Sequence, residues 1–209
     1  MNSRTIEIVS RRNRNIVMNV IQGHFATTNS HINYFLDTTQ VKSMHKMAKE
    51  VAKVFAGDFR DTPIEAIVCT ERTKMIGAFL AEELSLAGIN RDQDIVVVTP
   101  EFNSFNKMLL RDNVQSLIWN KNVLVLSASI ATGITASSVL DGINYYGATP
   151  AGIATIFSTR SDIDGVPVRS IFDNEDVPGY ENCSIADCPL CKRKVKIDAI
   201  VNSYGYSKL

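Results

Sequence analysis

A short stretch rich in hydroxyl groups, residues 129–136 (SIATGITA), follows a strongly apolar run and precedes a helical pattern. Such a stretch can hold a phosphate, because Gly133 lets the backbone approach a ligand and Thr132 and Thr135 can donate hydroxyl hydrogen bonds. A helix that begins near Ile134 would also direct unpaired N–H groups and the positive end of its dipole at an anion. The sequence equally allows an ordinary turn between strand and helix, capped by a threonine.

Three cysteines near the C-terminus are candidates for metal binding. Cys188 and Cys191 form a Cys-Pro-Leu-Cys pattern, and Cys183 precedes them. This spacing has the form of a zinc knuckle, which requires a fourth ligand. No such ligand lies nearby in sequence, so the alternative is a pair of thiols that stay reduced or can oxidise. The histidines are all far upstream, at His24, His31 and His45.

A parallel sheet is predicted to position these residues. Short runs rich in apolar and β-branched residues predict strands at 64–69, 94–98, 123–127 and 151–157. Apolar residues at helical spacing predict helices at 44–55, 76–87 and 136–147. Apolar strands that alternate with helices indicate an α/β fold, a doubly wound parallel sheet covered on both faces. Ligands of such sheets bind beyond the carboxyl ends of the strands, where residues 129–136 stand.

The remaining segments lie outside this alternation. Residues 99–122 are too long for a simple connection and predict a lid or arm. Residues 1–40 and 165–209 predict a hood and accessory segments around an α/β core at 41–164, all within one domain of 1–209. In the first of these, residues 23–38 have the aromatic and β-branched content of a hairpin. A helix is predicted before that hairpin, with Arg11 and Arg14 on its exposed face and Ile16, Val17, Val20 and Ile21 on its buried face.

Composition excludes several classes of partner. Lys plus Arg and Asp plus Glu number 22 each, so no overall field attracts nucleic acid or an anionic membrane. No apolar run approaches the roughly 20 residues that cross a bilayer, and the N-terminus has no leader pattern. The four cysteines, with Cys69 inside an apolar run, fit a reducing compartment better than a disulfide framework. We therefore expect a cytoplasmic protein with no membrane and no nucleic-acid partner.

Residues 123–135 resemble the phosphoribosyl-pyrophosphate signature of the type I phosphoribosyltransferases. That signature has four apolar strand residues, two acidic residues, two mostly apolar residues and a Thr-Thr-Gly-x-Thr type phosphate loop. Here residues 123–126 match the strand, and the acidic pair that holds the ribose hydroxyls is replaced by Ser127 and Ala128. The resemblance implies magnesium as cofactor and a site for the 5-phosphate at Ser129, Ala131, Thr132, Gly133, Ile134 and Thr135.

Residues 69–84 (CTERTKMIGAFLAEEL) occupy the place of the family's pyrophosphate loop. The resemblance implies pyrophosphate binding by Thr70, Glu71, Arg72, Thr73 and Lys74. Charged residues at a strand end are often only solvated turn residues, which is the alternative for Arg72 and Lys74. Orotate enzymes also close a flexible loop with a charged cluster over the pyrophosphate. The corresponding residues 100–113 offer Lys107 and Arg111 as catalytic groups.

Residues 23–38 (GHFATTNSHINYFLDT) are similar to the N-terminal hood of orotate phosphoribosyltransferases. The matching positions are Gly23, Phe25, Ser30, Tyr34, Phe35 and Asp37. The resemblance implies that Phe25, His31 and Tyr34 lie in the region of the base. The family carries a lysine in the hood turn, where this chain has Thr28, Asn29 and His31.

These resemblances predict an orotate phosphoribosyltransferase-like protein of pyrimidine nucleotide synthesis, which is expected to be a homodimer. Its partners would be phosphoribosyl pyrophosphate or a nucleoside monophosphate, and a nucleobase. Two other interpretations stay open. The replacement at Ser127 and Ala128 favours a binding or regulatory protein for a nucleotide or a phosphoribosyl phosphate, and the unusual hood turn favours a transferase for another base.

Overall fold

A computed structural model of the chain describes residues 2–28 and 30–209. Asn29, part of the predicted hood turn, lies outside the described residues. The strands are β1 (Thr5–Val9), β2 (Val17–Ala26), β3 (His31–Asp37), β4 (Ala66–Cys69), β5 (Val96–Val98), β6 (Glu101–Phe102), β7 (Met108–Leu109), β8 (Asn122–Ile130), β9 (Thr149–Ser158), β10 (Asp162–Ile163), β11 (Val166–Phe172), β12 (Asn182–Cys183), β13 (Ala199–Asn202) and β14 (Gly205–Lys208). The helices are α1 (Thr39–Ser43), α2 (His45–Asp58), α3 (Lys74–Leu86), α4 (Asp112–Ile118), α5 (Ile134–Tyr145) and α6 (Pro189–Lys192), with 3-10 turns at Asn2–Arg4 and Gly88–Asn90.

The larger sheet, which we call the core sheet, has the strand order β10-β11-β9-β8-β4-β5. All its strand pairs are parallel except β10 with β11. Strand β8 lies at its centre, and its side chains alternate between two apolar clusters. Leu124 and Leu126 pack with residues of α2 and α3, whereas Val123 and Val125 pack with residues of α5. The predicted α/β fold with a parallel sheet covered on both faces is confirmed.

Strand β8 is longer than the predicted run at 123–127. Its pairing with β9 continues through Ser127 opposite Thr155 and Ser129 opposite Phe157. The small side chains Ser127 and Ala128 are buried, so they extend the strand instead of starting a loop. The phosphate-loop candidate consequently begins at the end of an element that is held on both sides.

Strand β11 joins the core sheet beside β9, although it falls within residues 165–209, which the sequence groups with the hood. The segment carries Pro167, which lacks an N–H group and therefore weakens the prediction of a strand. The ladder tolerates this residue because Pro167 pairs only with Asp162 of the two-residue strand β10. Of residues 165–209, only those after β11 therefore lie outside the core sheet.

Both chain ends build a second sheet, which we call the terminal sheet. Its order is β12-β3-β2-β13-β14, and β1 also pairs with β2. The hairpin predicted at 23–38 is confirmed, because β2 and β3 pair antiparallel with a register shift between Gln22 and Phe25. A small apolar cluster that includes Phe25, Phe35 and Val201 lies in this sheet.

The helix predicted around Arg11 to Ile21 is wrong. The chain turns there and enters β2, where Met18 and Val20 are buried at alternate positions, as in a strand, and Ile16 just before the strand is also buried. Arg11 forms ion pairs with acidic residues beyond β11, namely Asp173, Glu175 and Asp176. Arg11 is thus exposed as expected, but it lies in a turn and links the terminal sheet to the end of β11 instead of lying on a helix.

The long connection at 99–122 forms a two-stranded ribbon, β6 with β7, followed by α4. The ribbon leaves the core sheet after β5 and leads back to it at β8. Within the described part of the chain, no helix is long and apolar enough to cross a membrane.

Candidate functional site

The loop after β8 turns sharply into α5. Gly133 adopts φ +85 immediately before α5, a left-handed conformation that L side chains rarely adopt. A Cβ atom there would lie 2.5 Å from Cδ1 of Ile163. The glycine therefore permits both the turn and the close packing, and it brings the first N–H groups of α5 to the carboxyl edge of the sheet.

The loop is held from behind by the end of β9. The hydroxyl of Thr159 donates to the carbonyl of Ala131 at 2.6 Å, and its backbone N–H donates to the carbonyl of Ile130 at 3.0 Å. The other side chains of the predicted phosphate site are exposed, at Ser129, Thr132, Ile134 and Thr135. The structure thus brings these residues together in one exposed loop, in which the hydroxyl oxygen of Thr132 accepts a hydrogen bond from the backbone N–H of Ile134 at 3.4 Å.

A cavity of about 760 Å³ opens in front of this loop. Its lining combines Thr132 and Gly133 with Lys107 of the ribbon turn and Arg160 after β9. Both cations can neutralise an anion held by the loop. Arg160 was missed at the sequence level, since it follows an apolar strand that carries no recognisable motif. The lining also includes Asp141, Asp162 and Asp164, so its charged side chains are three carboxylates and two cations.

Lys107 and Arg111 have different surroundings. Lys107 faces this cavity, whereas Arg111 lies after β7 and is not part of its lining. The guanidinium of Arg111 makes two hydrogen bonds to Glu101 of β6, at 2.9 and 2.5 Å. This contact raises the pKa of Arg111 and lowers the pKa of Glu101. Arg111 closes the base of the ribbon, and Lys107 is the cation that the ribbon presents to the cavity.

A carboxylate from another loop lies beside Ser127 and Ala128, the positions at which the motif predicts the acidic pair. Ser127 is buried and donates its hydroxyl to Oγ1 of Thr155 at 3.1 Å. Glu71, from the loop after β4, accepts hydrogen bonds from the backbone N–H groups of Ala128 at 2.8 Å and Ser129 at 2.9 Å. Both bonds use Oε2 of Glu71, which leaves the second oxygen of the carboxylate at this edge of the sheet for another partner.

The threonines of the predicted pyrophosphate loop are structural. Thr70 and Thr73 are buried. The hydroxyl of Thr70 donates to the carbonyl of Leu126, and the hydroxyl of Thr73 lies 2.7 Å from the carbonyl of Thr70 and 3.0 Å from that of Leu126. Between them, Glu71 and Arg72 adopt positive φ values of 50 and 66. Two successive residues in the left-handed conformation reverse the direction of the chain after β4. In this turn the side chain of Glu71 reaches the backbone of β8, and that of Arg72 is exposed. Lys74 is exposed at the first position of α3.

The predicted pyrophosphate loop is also held by the terminal sheet and by α1. The ammonium group of Lys42, a residue only 8% exposed, donates to the carbonyls of Glu71 at 3.3 Å and Ser203 at 3.0 Å. Burial lowers the pKa of Lys42, although the Glu71 carboxylate partly opposes this shift. The guanidinium of Arg72 lies 5.0 Å from the ring centre of Tyr204. Lys42 was missed at the sequence level because its partners are carbonyls distant in sequence.

The residues assigned to the base region lie in the terminal sheet. Phe25 is fully buried, and its ring centre is 6.0 Å from that of Phe35. Tyr34 is half-buried and packs against the main apolar cluster. His31 is 5% exposed and contacts His24 and Cys191. The side chains of Phe25 and His31 are therefore engaged inside the terminal sheet, and a role for the three residues at a base stays a prediction.

The C-terminal cysteines lie beside the hairpin of β2 and β3. Cys188 and Cys191 contact His24, which supplies the kind of ligand that the sequence neighbourhood lacks. Cys183 lies on β12, where its thiol contacts the carbonyl of His31 at 3.5 Å. The sequence separates these residues by more than 150 positions, so only the fold shows that they meet.

Comparison with known proteins identifies the fold. No family model and no curated protein matches the sequence. Solved structures match at low identity. One is UMP synthase of Leishmania donovani, with TM-score 0.56 and 11% identity over 84% of this chain. Another is adenine phosphoribosyltransferase of Trypanosoma brucei in complex with AMP, pyrophosphate and ribose-5-phosphate, with TM-score 0.53 and 19% identity over 76% of each chain.

Orotate phosphoribosyltransferase of Mycobacterium tuberculosis in complex with phosphoribosyl diphosphate matches with TM-score 0.51 and 15% identity, over 68% of this chain and 82% of that one. The match to the Leishmania UMP synthase spans only 36% of that longer protein. These neighbours act on more than one base, and their identities to this chain are low. The comparison therefore shows that the chain has the α/β fold of type I phosphoribosyltransferases, and it does not select a base.

Proposed function

We propose that the protein binds phosphoribosyl pyrophosphate and transfers its phosphoribosyl group to a nucleobase, with orotate as the first candidate. This would make it a cytoplasmic, homodimeric transferase of pyrimidine nucleotide synthesis. The observation that carries the proposal is the Gly133 loop, which joins a central parallel strand to the start of α5 and opens into a cavity with two cations. The shared fold supports the same interpretation.

The described contacts suggest a role for each part of the edge. The N–H groups and hydroxyls around Thr132, Gly133 and Thr135 hold the 5-phosphate, and Arg160 compensates its charge. Arg72 and Lys74, which are exposed beside the Glu71 turn, attract the pyrophosphate. Glu71 holds the ribose hydroxyls from the end of β8, in place of the missing acidic pair.

The chemistry is a displacement at C1 of the ribose. A nitrogen of the base forms the new bond to C1 while the bond from C1 to the pyrophosphate oxygen breaks, and the bonding electrons leave with pyrophosphate. The proton on that nitrogen is released to solvent. Positive charge develops on the sugar, so the nearby Glu71 carboxylate favours the transition state. The carboxylate and hydroxyl oxygens at this edge fit a hard cation, and Glu71 would hold magnesium through water. When bound, magnesium would neutralise part of the charge on the leaving pyrophosphate.

A second candidate function is binding without turnover, as in a regulatory protein. It is favoured by the hydroxyls of Thr70, Thr73 and Ser127, which all donate to other protein atoms and are not directed at a ligand. A transferase for another base is a third candidate, supported by the variety of bases among the structural neighbours.

One experiment separates these candidates. The protein is mixed with magnesium, phosphoribosyl pyrophosphate and one base at a time from a panel of pyrimidines and purines. Pyrophosphate release is followed in parallel with calorimetric binding. Release with orotate alone supports the orotate transferase, and release with a different base supports the third candidate. Binding without release from any base would refute transfer and leave the binding function, whereas absence of both would refute the phosphoribosyl site itself.

A further inference from the structure

Four potential metal ligands lie close together beside the hairpin of β2 and β3. None of them belongs to the predicted phosphate loop at 129–136. They are His24 on β2, His31 at the start of β3, and Cys188 and Cys191 at the short helix α6. One ligand atom of each residue lies within 4.8 Å of all the others. We call this group the His–Cys cluster.

Four of the six distances within the cluster are close to, or somewhat shorter than, the edges of a tetrahedron around zinc. Nε2 of His24 lies 3.0 Å from Nδ1 of His31, and 3.5 and 3.6 Å from the sulfurs of Cys188 and Cys191. The sulfur of Cys191 is 3.2 Å from Nδ1 of His31. Zinc bonds of 2.0–2.1 Å to nitrogen and 2.3 Å to sulfur imply edges of about 3.3 Å between nitrogens and about 3.6 Å between nitrogen and sulfur. The ligand atoms are therefore already arranged for one ion.

A second contact orients one of the imidazoles. Nδ1 of His24 lies 2.9 Å from the carbonyl of Val195. A carbonyl can only accept, so this nitrogen carries the proton and donates it. Nε2 of His24 then presents its lone pair to the cluster, which is the arrangement by which outer partners fix metal-binding histidines.

The chain around α6 has almost no apolar core of its own. Between residues 184 and 198, the only buried residue is Cys188, and no residue of the helix itself is buried. His24, His31 and Cys188 are 1%, 5% and 0% exposed. A polar cluster is thus the most deeply buried part of a segment that packs few side chains, which is how small metal-bound segments are held in place.

We propose that the His–Cys cluster binds one zinc ion, which fixes the C-terminal segment to the N-terminal hairpin. Two thiolates and two neutral imidazoles give a neutral complex with a divalent ion, and a tetrahedral set of two sulfurs and two nitrogens selects zinc. All four positions are filled by protein, so the site is structural and leaves no open position for a substrate.

Cys183 is outside this ligand set. It lies on β12, and its sulfur contacts the carbonyl of His31 and the thiol of Cys188, but it is not one of the four residues whose ligand atoms all lie within 4.8 Å of one another. Cys183 therefore provides a matched control for the two cysteine ligands, and the exposed His45 provides one for the two histidines. The controls distinguish the proposed ligands from the three-cysteine set that the sequence suggests.

The first test is metal content. The full chain is produced in medium that contains zinc, purified under reducing conditions without a metal column, and measured by mass spectrometry of the elements. We expect about one zinc ion per chain in the wild type, C183S and H45A, and less than about a tenth in C188S and H24A. Stoichiometric iron or nickel, less than a tenth of an equivalent of any metal in the wild type, or loss of zinc in C183S would overturn the proposed site.

The second test uses the unmodified chain, so that it does not depend on the folding of the variants. Cobalt is added to reduced protein from which zinc has been removed by a chelator. Intense visible absorption typical of tetrahedral cobalt with thiolate ligands supports the site, and its absence refutes it. Hydrogen exchange supports the stapling role if zinc removal raises exchange in residues 184–198 and zinc restores protection where magnesium does not. Unchanged exchange would refute that role.

Discussion

At the scale of single residues, the charge at the end of β8 comes from outside the motif. Ser127 and Ala128 are neutral, but Glu71 accepts hydrogen bonds from the backbone of Ala128 and Ser129. Glu71 and Ala128 are 57 residues apart, so no local pattern reveals this pair. The sequence shows that the acidic pair of the motif is absent. The pairing of β4 with β8 shows that the carboxylate of Glu71 lies at the end of β8 instead.

The variant E71Q tests the role of this carboxylate. It keeps the shape of the side chain but removes its charge. We expect the affinity for phosphoribosyl pyrophosphate to fall about tenfold or more, because a charge-assisted hydrogen bond contributes roughly 1.5–3 kcal/mol. Calorimetry measures the affinity. The matched control is E65Q, since Glu65 also accepts a backbone N–H of β8, from Asn122 at its opposite end, at 3.0 Å. Equal affinities of E71Q and the wild type would contradict the proposed ribose role.

The variant G133A tests the phosphate loop. An added Cβ is strained at φ +85 and meets Cδ1 of Ile163 at 2.5 Å, so the Ile163 side chain or the loop must shift. We expect binding of ribose 5-phosphate to weaken about tenfold or more. G165A is the control, because Gly165 also has a positive φ, +80, but has nothing within 4 Å of an added Cβ. Both variants should lose about 1 kcal/mol of stability, and only G133A should lose affinity. An equal loss of affinity in G165A would show that the loss in G133A comes from backbone strain in general and not from the phosphate loop.

At the scale of elements, regular apolar spacing predicts what the core sheet contains. The stripes at 44–55, 76–87 and 136–147 become α2, α3 and α5, and the four apolar runs become β4, β5, β8 and β9. The N-terminal segment fails because Ile16, Val17, Val20 and Ile21 fit a helical face as well as they fit a strand. Pairing with β1 and β3 decides in favour of the strand, and it involves partners that a local pattern does not contain.

Glu50 of α2 supports the turn that replaces the predicted N-terminal helix. Its carboxylate accepts hydrogen bonds from Lys53 at 2.8 Å and from Asn13 at 2.9 Å, and these lower its pKa to about 2 against the opposing effect of burial. A carboxyl group with a lowered pKa stabilises the folded state above its unfolded pKa and loses that effect as the pH falls through the folded one.

We therefore expect E50Q to lower the free energy of unfolding by on the order of 1 kcal/mol at neutral pH. The difference from the wild type should shrink as the pH falls from 4.5 to about 2. Urea unfolding at several pH values measures it. E82Q serves as the control, because the side chain of Glu82 is 55% exposed and pairs with Lys49 only at 3.8 Å. A difference that stays constant across this pH range would show that ionised Glu50 does not stabilise the turn.

At the scale of the whole molecule, the two sheets share the candidate site. The loop after β4 directly follows a strand of the core sheet. Its backbone accepts a hydrogen bond from Lys42 of α1, and its Arg72 packs against Tyr204, which lies between two strands of the terminal sheet. Arg11 adds ion pairs from the N-terminal turn to residues after β11. Lys42 contacts Ser203 across 161 positions, so the sequence could predict each segment but not their junction.

These junctions predict that the two sheets unfold together and that a ligand at the core edge stabilises both. Calorimetry of the metal-loaded chain should show one transition. Phosphoribosyl pyrophosphate at about 100 times its dissociation constant adds about 2.7 kcal/mol, which raises the midpoint by about 5–10 °C for a chain of this size. Ribose 5-phosphate at about 100 times its own dissociation constant should give the same shift of the midpoint. If Arg72 and Lys74 hold the pyrophosphate, that dissociation constant is higher, so the shift requires a higher concentration of ribose 5-phosphate. A ligand stabilises only the folding unit that contains its binding site. Two transitions, with a ligand-induced shift in only one of them, would therefore mean that Lys42 and Arg11 do not couple the unfolding of the two sheets.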